Sequence, residues 1–357
     1  MTLTEVVYYI RKIFPFAVLC TILVFILYVI YKIAELSTPA QQAAVMPTPT
    51  PAFGKLPALA IDSPRRNPAE IEYFIDTIQG VPETATSAAA IYFVPKKVAT
   101  FGFREKASVL AKALGFDDAT QRTQLQDSIY TVVDNARRLK FEIDTFNFEF
   151  SQDITDETKR AFVDVVMPSE DVLKSKAVDL VRQLNRYPTE IAKSTQTVTY
   201  FRYPTSTDSA NLKTEIVKDP SLSNMVEVDF FPPKIDAFET VTSNYFTSPN
   251  YIVFSPQKSG DDFVVNARIK VYELSTEQSS IYPLRTGDDA LAALSAGKGY
   301  LISGSLAGVK RVNINRTYTA YLVPTEYTEY IQPVYVFVGD HEFVAYVPAV
   351  QPLWGQE

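Results

Sequence analysis

The longest unbroken apolar run lies near the start of the chain. Residues 13–31, IFPFAVLCTILVFILYVIY, carry no formal charge and are bracketed by Arg11-Lys12 and Lys32. At 1.5 Å per residue a helix of that length covers roughly 28 Å, the hydrocarbon thickness of a bilayer, so residues 13–33 read as a transmembrane helix. A cleaved signal peptide would have a shorter apolar core and a small-x-small cleavage site; here Lys32-Ile33-Ala34-Glu35 succeeds the run instead. Tyr8 and Tyr9 before it, and Tyr28 and Tyr31 at its far end, fit an interfacial aromatic belt. The basic flanks favour a cytoplasmic N-terminus (1–12) with the bulk of the chain extracytoplasmic. Residues 34–68 form a Pro/Thr-rich spacer, held extended by Pro47, Pro49 and Pro51, that lifts the rest of the chain off the bilayer.

Beyond the spacer two helical stripes share one spacing. Phe103, Ala107, Leu110 and Leu114 fall at i, i+4, i+7 and i+11, with Gly115 placed to end the helix. Leu173, Ala177, Leu180 and Leu184 repeat the pattern, after Ser169 as N-cap and Glu170-Asp171 in the first turn. A shorter helix starts at Gly287-Asp288-Asp289 and carries Ala290, Ala293 and Leu294 to Gly297.

Period-two alternation marks the strands. Phe263, Val265, Ala267, Ile269 and Val271 are apolar between polar Asn266, Arg268 and Lys270, an antiparallel strand with one wet face, which 251–254 pairs across the loop 255–262. Val312, Ile314, Tyr318, Ala320 and Leu322 alternate with polar neighbours in the same way. Residues 334–338 and 343–347 are apolar on both faces and read as a central hairpin turning at Gly339-Asp340-His341-Glu342. Between Leu139 and Phe150 the apolar parity flips, which requires a turn or bulge near Asp144-Thr145. Residues 124–136 fit either a helix (Leu125, Ile129, Val132, Ala136) or a hairpin arm ending at Asp134-Asn135; the hairpin is the preferred reading.

This order predicts an α+β protein: an N-terminal transmembrane helix, then antiparallel sheets with helices packed on one face, built from two or three related units. The first α+β unit spans 69–165 and the second, or the remaining units, 166–357.

Composition removes several chemistries. The chain has 34 basic and 41 acidic residues, net −7. Residues 1–35 are net positive by one, so the remainder is −8 and shows no basic run, which argues against nucleic acid as a partner. The single cysteine, Cys20, lies in the apolar run, and the single histidine is His341. Disulfides, Cys/His metal centres and Cys-His catalysis are thereby excluded after the spacer.

No catalytic, cofactor-binding or metal residues are assigned from the remaining patterns. His341 between Asp340 and Glu342 could hold a cation or act as a base, but a solvated turn explains it. Asp117-Asp118, Asp261-Asp262 and Asp288-Asp289 sit at element ends, where caps and turns use acids. Asp153, Asp156 and Glu157 cluster in a loop that lacks the central glycine of an EF-hand. There is no phosphate-binding glycine loop and no serine–lysine spacing of S-x-x-K type at Ser169–Lys174 or Lys193-Ser194. Tyr318, Tyr321, Tyr327, Tyr330 and Tyr335 are the candidate binding surface, an aromatic platform for peptide or glycan, set against ordinary cross-strand packing.

The C-terminal part carries Tyr282-Pro283-Leu284, then the helix 289–297 with Ala290, Leu291, Leu294 and Gly297, then Ala320-Tyr321, then Gln332-Pro333-Val334-Tyr335-Val336-Phe337. This order resembles the extracytoplasmic regulators of the essential cell-wall sensor kinase of low-GC Gram-positive bacteria, the YycH/YycI type, and PepSY-like domains more broadly. The resemblance covers about 70 residues and consists of packing and turn residues. It implies a non-enzymatic protein, without cofactors, that binds other envelope proteins, peptides or kinase ectodomains. The expected function is therefore that of a membrane-anchored extracytoplasmic interaction protein, regulatory in kind. Its partners are the lipid bilayer through 13–33 and another envelope protein or peptide. The alternative is a carboxylate-dependent cell-envelope hydrolase acting on glycan or peptide, which needs only two acids.

Overall fold

The computed structural model describes residues 14, 16, 20–26, 28, 48–61, 65–66, 70–77, 80–84, 86–99, 101–117, 120–204 and 214–356. Two compact units make up the chain, Met1–Pro47 and Thr48–Glu357. Most of 13–33 lies outside the described residues; 20–26 is helical and solvent-exposed. Among the described residues no helix is long and apolar enough to cross a membrane.

In the larger unit the three predicted helices form where their stripes place them. Phe103–Ala113 (α1) buries Ala107, Leu110 and Ala111 and ends where Gly115 takes φ 82°; Glu170–Gln183 (α2) buries Leu173, Ala177 and Val181. A single turn, Thr189–Ala192 (α3), comes next. Gly287–Ser295 (α4) begins in a capping box, the Thr286 hydroxyl accepting from Asp289 N–H while the Asp289 carboxylate accepts at Thr286.

Strands dominate, and they form two nine-stranded sheets. The second sheet is antiparallel throughout. Its order is β4 (Arg122–Gln126), β5 (Ile129–Val133), β6 (Arg137–Glu142), β7 (Phe148–Gln152), β13 (Phe263–Ile269), β12 (Tyr251–Ser255), β10 (Met225–Phe231), β8 (Thr195–Arg202) and β9 (Glu215–Val217). One face packs under α1 and α2 through Phe141, Phe150, Val228, Phe254 and Ala267.

The first sheet is mixed. β1 (Arg65–Arg66), β15 (Tyr300–Ser303), β18 (Val344–Pro348), β17 (Tyr330–Gly339), β16 (Arg311–Leu322) and β11 (Glu239–Val241) form its main path. β2 (Glu72–Ile75) and β11 both run parallel to β16, while β3 (Ala88–Phe93) pairs with the start of β17 and carries β14 (Ser279–Pro283). The hairpin β17–β18 is central and buried on both faces, as its two-sided apolar sequence requires. Gly339 lets β16 pass closely: a Cβ there would lie 2.7 Å from Asn313 O.

Several expectations are corrected. The fold is mostly β rather than α+β, because the helices cover only part of one face of each sheet and the strand-forming residues between them all find ladders. The transmembrane helix expected at 13–33 is not among the described elements. The shared spacing of the first two helices does not mark repeated units: α1 and α2 belong to one core on the second sheet, and the other sheet differs in topology. The alternation from Phe263 to Val271 also breaks. A register shift at Val253/Phe254 puts Phe263 and Val265 on one face with Phe162, and Ala267 and Ile269 on the other under the helices.

Part of the sequence read as spacer belongs to the folded unit. Residues 48–61 run as an extended strap along the first sheet: Thr50 N–H donates to Ile281 O (2.9 Å), Leu56 N–H to Trp354 O (2.7 Å), and the Gln332 amide to Pro57 O (3.0 Å). Leu56 is fully buried, and Leu59 and Ile61 nearly so.

Candidate functional site

The five tyrosines of the predicted platform separate once the strands are in place. Tyr321 and Tyr335 are fully buried, Tyr318 and Tyr330 half-buried, and only Tyr327 is exposed. Each hydroxyl is used inside the fold: Tyr318 donates to Tyr245 Oη (3.3 Å), Tyr321 to Ala90 O (2.8 Å), Tyr327 to Val94 O (3.1 Å), Tyr330 to Glu329 Oε1 (3.2 Å) and Tyr335 to Arg285 O (2.9 Å). All but Tyr330 tie in segments remote in sequence, and with two of the five fully buried they do not form one continuous outer surface.

Several of the acids singled out by sequence are also engaged. His341 and Glu342 lie exposed in the hairpin turn at φ 55° and 57°, while the Asp340 carboxylate accepts from Asn313 N–H and from its side-chain amide. Asp262 receives Lys176 Nζ at 2.8 Å and the backbone N–H of Gln257, Asp289 closes the capping box, and Asp156 pairs with Lys159 at 2.7 Å. Asp153 and Glu157 are exposed, and Asp118 lies outside the described residues. Among the described residues no three His, Cys, Asp or Glu side chains come together as a metal site.

What does converge lies between the two sheets. A cavity of about 370 Å³ opens there. Tyr92 on β3 and Ile331 on β17 form the wall from the first sheet, and Phe230 on β10 contributes from the second. Tyr272 and Leu274, from the link between β13 and β14, add to the apolar lining. Two of its polar groups are paired: the Tyr92 hydroxyl donates to Asp236 Oδ2 at 2.6 Å, and Lys270 Nζ meets Glu326 Oε1 at 2.6 Å. Burial, and next the Asp236 acceptor, raise the Tyr92 phenol so that it stays a hydrogen-bond donor; burial raises Tyr272 in the same sense. Such a lining takes an apolar or aromatic group and offers it a hydrogen-bonding rim. Sequence reading missed it because its residues come from seven separate segments of the chain, which carry no common period.

A second constellation was legible and missed. Val226, Val228 and Phe230 alternate with Glu227 and Asp229, so β10 turns two carboxylates onto the sheet face away from α1 and α2. Glu227 stands beside Val253, and Asp229 beside Tyr251, whose other neighbour is Arg268. Asp229 accepts from Ser248 N–H at 2.9 Å, and the Arg268 guanidinium lies 4.9 Å from the Tyr251 ring centre. Burial first, and for Glu227 the neighbouring Asp229 charge second, raise Glu227 to about 7; burial raises Asp229 to about 6 against the pull of Ser248 N–H and Arg268. Neither acid lines the cavity.

No family model matches the chain, and no curated protein matches it. Among solved structures it is similar to an uncharacterized protein from Eubacterium rectale, at 11% identity and a TM-score of 0.34, over 78% of this chain and 89% of that one. It is also similar to the YpeB C-terminal domain of Bacillus megaterium, at 10% identity and a TM-score of 0.31, over 72% of this chain and 95% of that domain. Likenesses of this size do not place the chain in a family.

Proposed function

We propose that this chain is a non-catalytic, regulatory interaction protein of the cell envelope, held at the membrane by its apolar N-terminal sequence with the folded unit outside. The cavity between the sheets is its recognition site, and the occupant is an apolar or aromatic side chain of another envelope protein or peptide. The observation that carries the reading is the lining itself, largely aromatic and aliphatic, with Asp236, Lys234 and Lys270 each already engaged by a partner. The regulatory sense comes from the C-terminal sequence order that resembles the YycH/YycI type.

A photo-crosslinking amino acid at Thr276, an exposed residue of the lining, tests it in cells expressing the full chain. A defined adduct is expected at Thr276, absent when the label sits at exposed Gln183 and lost when Leu274→Trp fills the cavity. Labelling that ignores Leu274→Trp, or none at Thr276, overturns the reading. The rival, a carboxylate-dependent hydrolase, has one observation in its favour: half-buried Glu227 and buried Asp229, two residues apart on one sheet face, both with raised pKa values. Cleavage of cell-wall glycan or peptide by the purified chain, abolished in Glu227→Gln, would put that reading in place of binding.

A further inference from the structure

The second sheet ends in an edge strand without the usual protection. β4, Arg-Thr-Gln-Leu-Gln, is exposed at all five positions and, among the described residues, pairs only with β5. Natural edges are blunted by proline, bulges, inward charges or a covering element. β4 has no proline, its ladder to β5 runs without a shift, and its one charge, Arg122, stands at its start.

The ladder fixes which backbone groups are free. Asp127 and Ser128 take φ 48° and 68° in a two-residue turn, so Gln126 and Ile129 flank it. In such a hairpin the flanking pair is hydrogen-bonded, and bonded and non-bonded pairs then alternate. The N–H and C=O of Gln126, Gln124 and Arg122 are therefore spent on β5, and those of Thr123 and Leu125 point outward.

That pattern is self-complementary. A second β4 laid antiparallel about a two-fold axis at Gln124 puts Thr123 of each copy opposite Leu125 of the other, the arrangement in which both exchange N–H···O bonds. Arg122 then faces uncharged Gln126 of the second copy, one residue from its Asp127, so no like charges meet in a protein of net charge −7. The axis is perpendicular to the sheet, which keeps α1 of both copies on one face. On that face Leu125, 46% exposed, stands beside Tyr130, whose ring packs edge-on to Phe103 at 5.8 Å. Leu125 is thus an apolar contact waiting at the seam.

We propose that two copies of this chain pair through β4 in this register, joining their second sheets into one continuous eighteen-stranded sheet. Position-specific disulfide trapping in the full chain tests it, with Cys20→Ser as background. Across the axis the two Gln124 Cα atoms are about 4.5 Å apart, within disulfide range, whereas each copy's Arg122, and likewise each Gln126, is roughly 14 Å from its equivalent. Gln124→Cys is expected to give about tenfold more covalent dimer than Arg122→Cys or Gln126→Cys under mild oxidation. Adding Thr123→Pro removes an outward donor without touching the β4–β5 ladder, and should cut that yield by about tenfold. Gln126→Lys, which alters no backbone group, sets a like charge opposite Arg122 and should lower the yield; Gln126→Glu should preserve it. Equal trapping at all three positions, trapping to a different protein, no trapping at 124, or indifference to the charge at 126 each overturns the pairing.

Discussion

Asn147 shows how much one buried side chain can hold. The side chain is fully buried just before β7; its Oδ1 accepts from Val271 N–H (2.9 Å) and Arg186 Nη2 (3.0 Å), and its Nδ2 donates to Glu142 Oε2 (3.0 Å). Burial lowers the Arg186 pKa, and the amide is one of the few groups that solvates this cation. Asn147→Ala leaves a backbone N–H and part of a guanidinium unpaired, and should destabilise the fold by about 2–4 kcal/mol in urea unfolding. Glu227 and Asp229 act in the opposite direction. Their folded pKa values of about 7 and about 6 lie above those of free carboxylates, so the native state binds protons that the unfolded chain has released. Their contribution to stability is greatest below about pH 4 and is lost as pH rises through 6 and 7. Glu227→Gln should therefore raise the melting temperature at pH 8 and leave it nearly unchanged at pH 4. An equal rise at both pH values would mean that charge is not the cause.

At the scale of elements, the sequence was a good guide wherever a period survives contact with the core. The helices at 103–113, 170–183 and 287–295, the pair β12–β13 and the hairpin β17–β18 appear where the apolar spacing puts them. The parity flip after Leu139 is a turn between β6 and β7 with Phe146 at φ 61°, and the ambiguous stretch 124–136 is the hairpin β4–β5. What failed depends on long-range partners. The extra residue of β13 between Val264 and Asn266 shows only in its pairing with β12, and the parallel additions of β2 and β11 to β16 join residues 239 and 81 positions apart. The site was less legible still, since it lies between elements rather than on one. The strap failed for another reason: proline and threonine gave its composition, but Leu56, Leu59 and Ile61 gave its fate. Leu56→Ala removes a fully buried side chain from contact with the first sheet's core and should cost about 2–4 kcal/mol. A loss below about 0.5 kcal/mol in chemical denaturation would show the strap to be loosely held.

On the scale of the whole molecule, the Thr48–Glu357 unit spans both sheets, with a cavity where they meet and an open edge at β4. If the unit lies outside the membrane, protease added to intact cells should degrade it; survival until lysis would place it inside. Its first residues would bear load in a fixed order. Tension entering at Thr48 reaches the bonds of Thr50 and Ala52 to Ile281 and Ser280 before it reaches the buried Leu56. The strap is thus a graded fastening, in which a weak pull would peel polar contacts reversibly while the hydrophobic plug behind them keeps the sheet from being torn open.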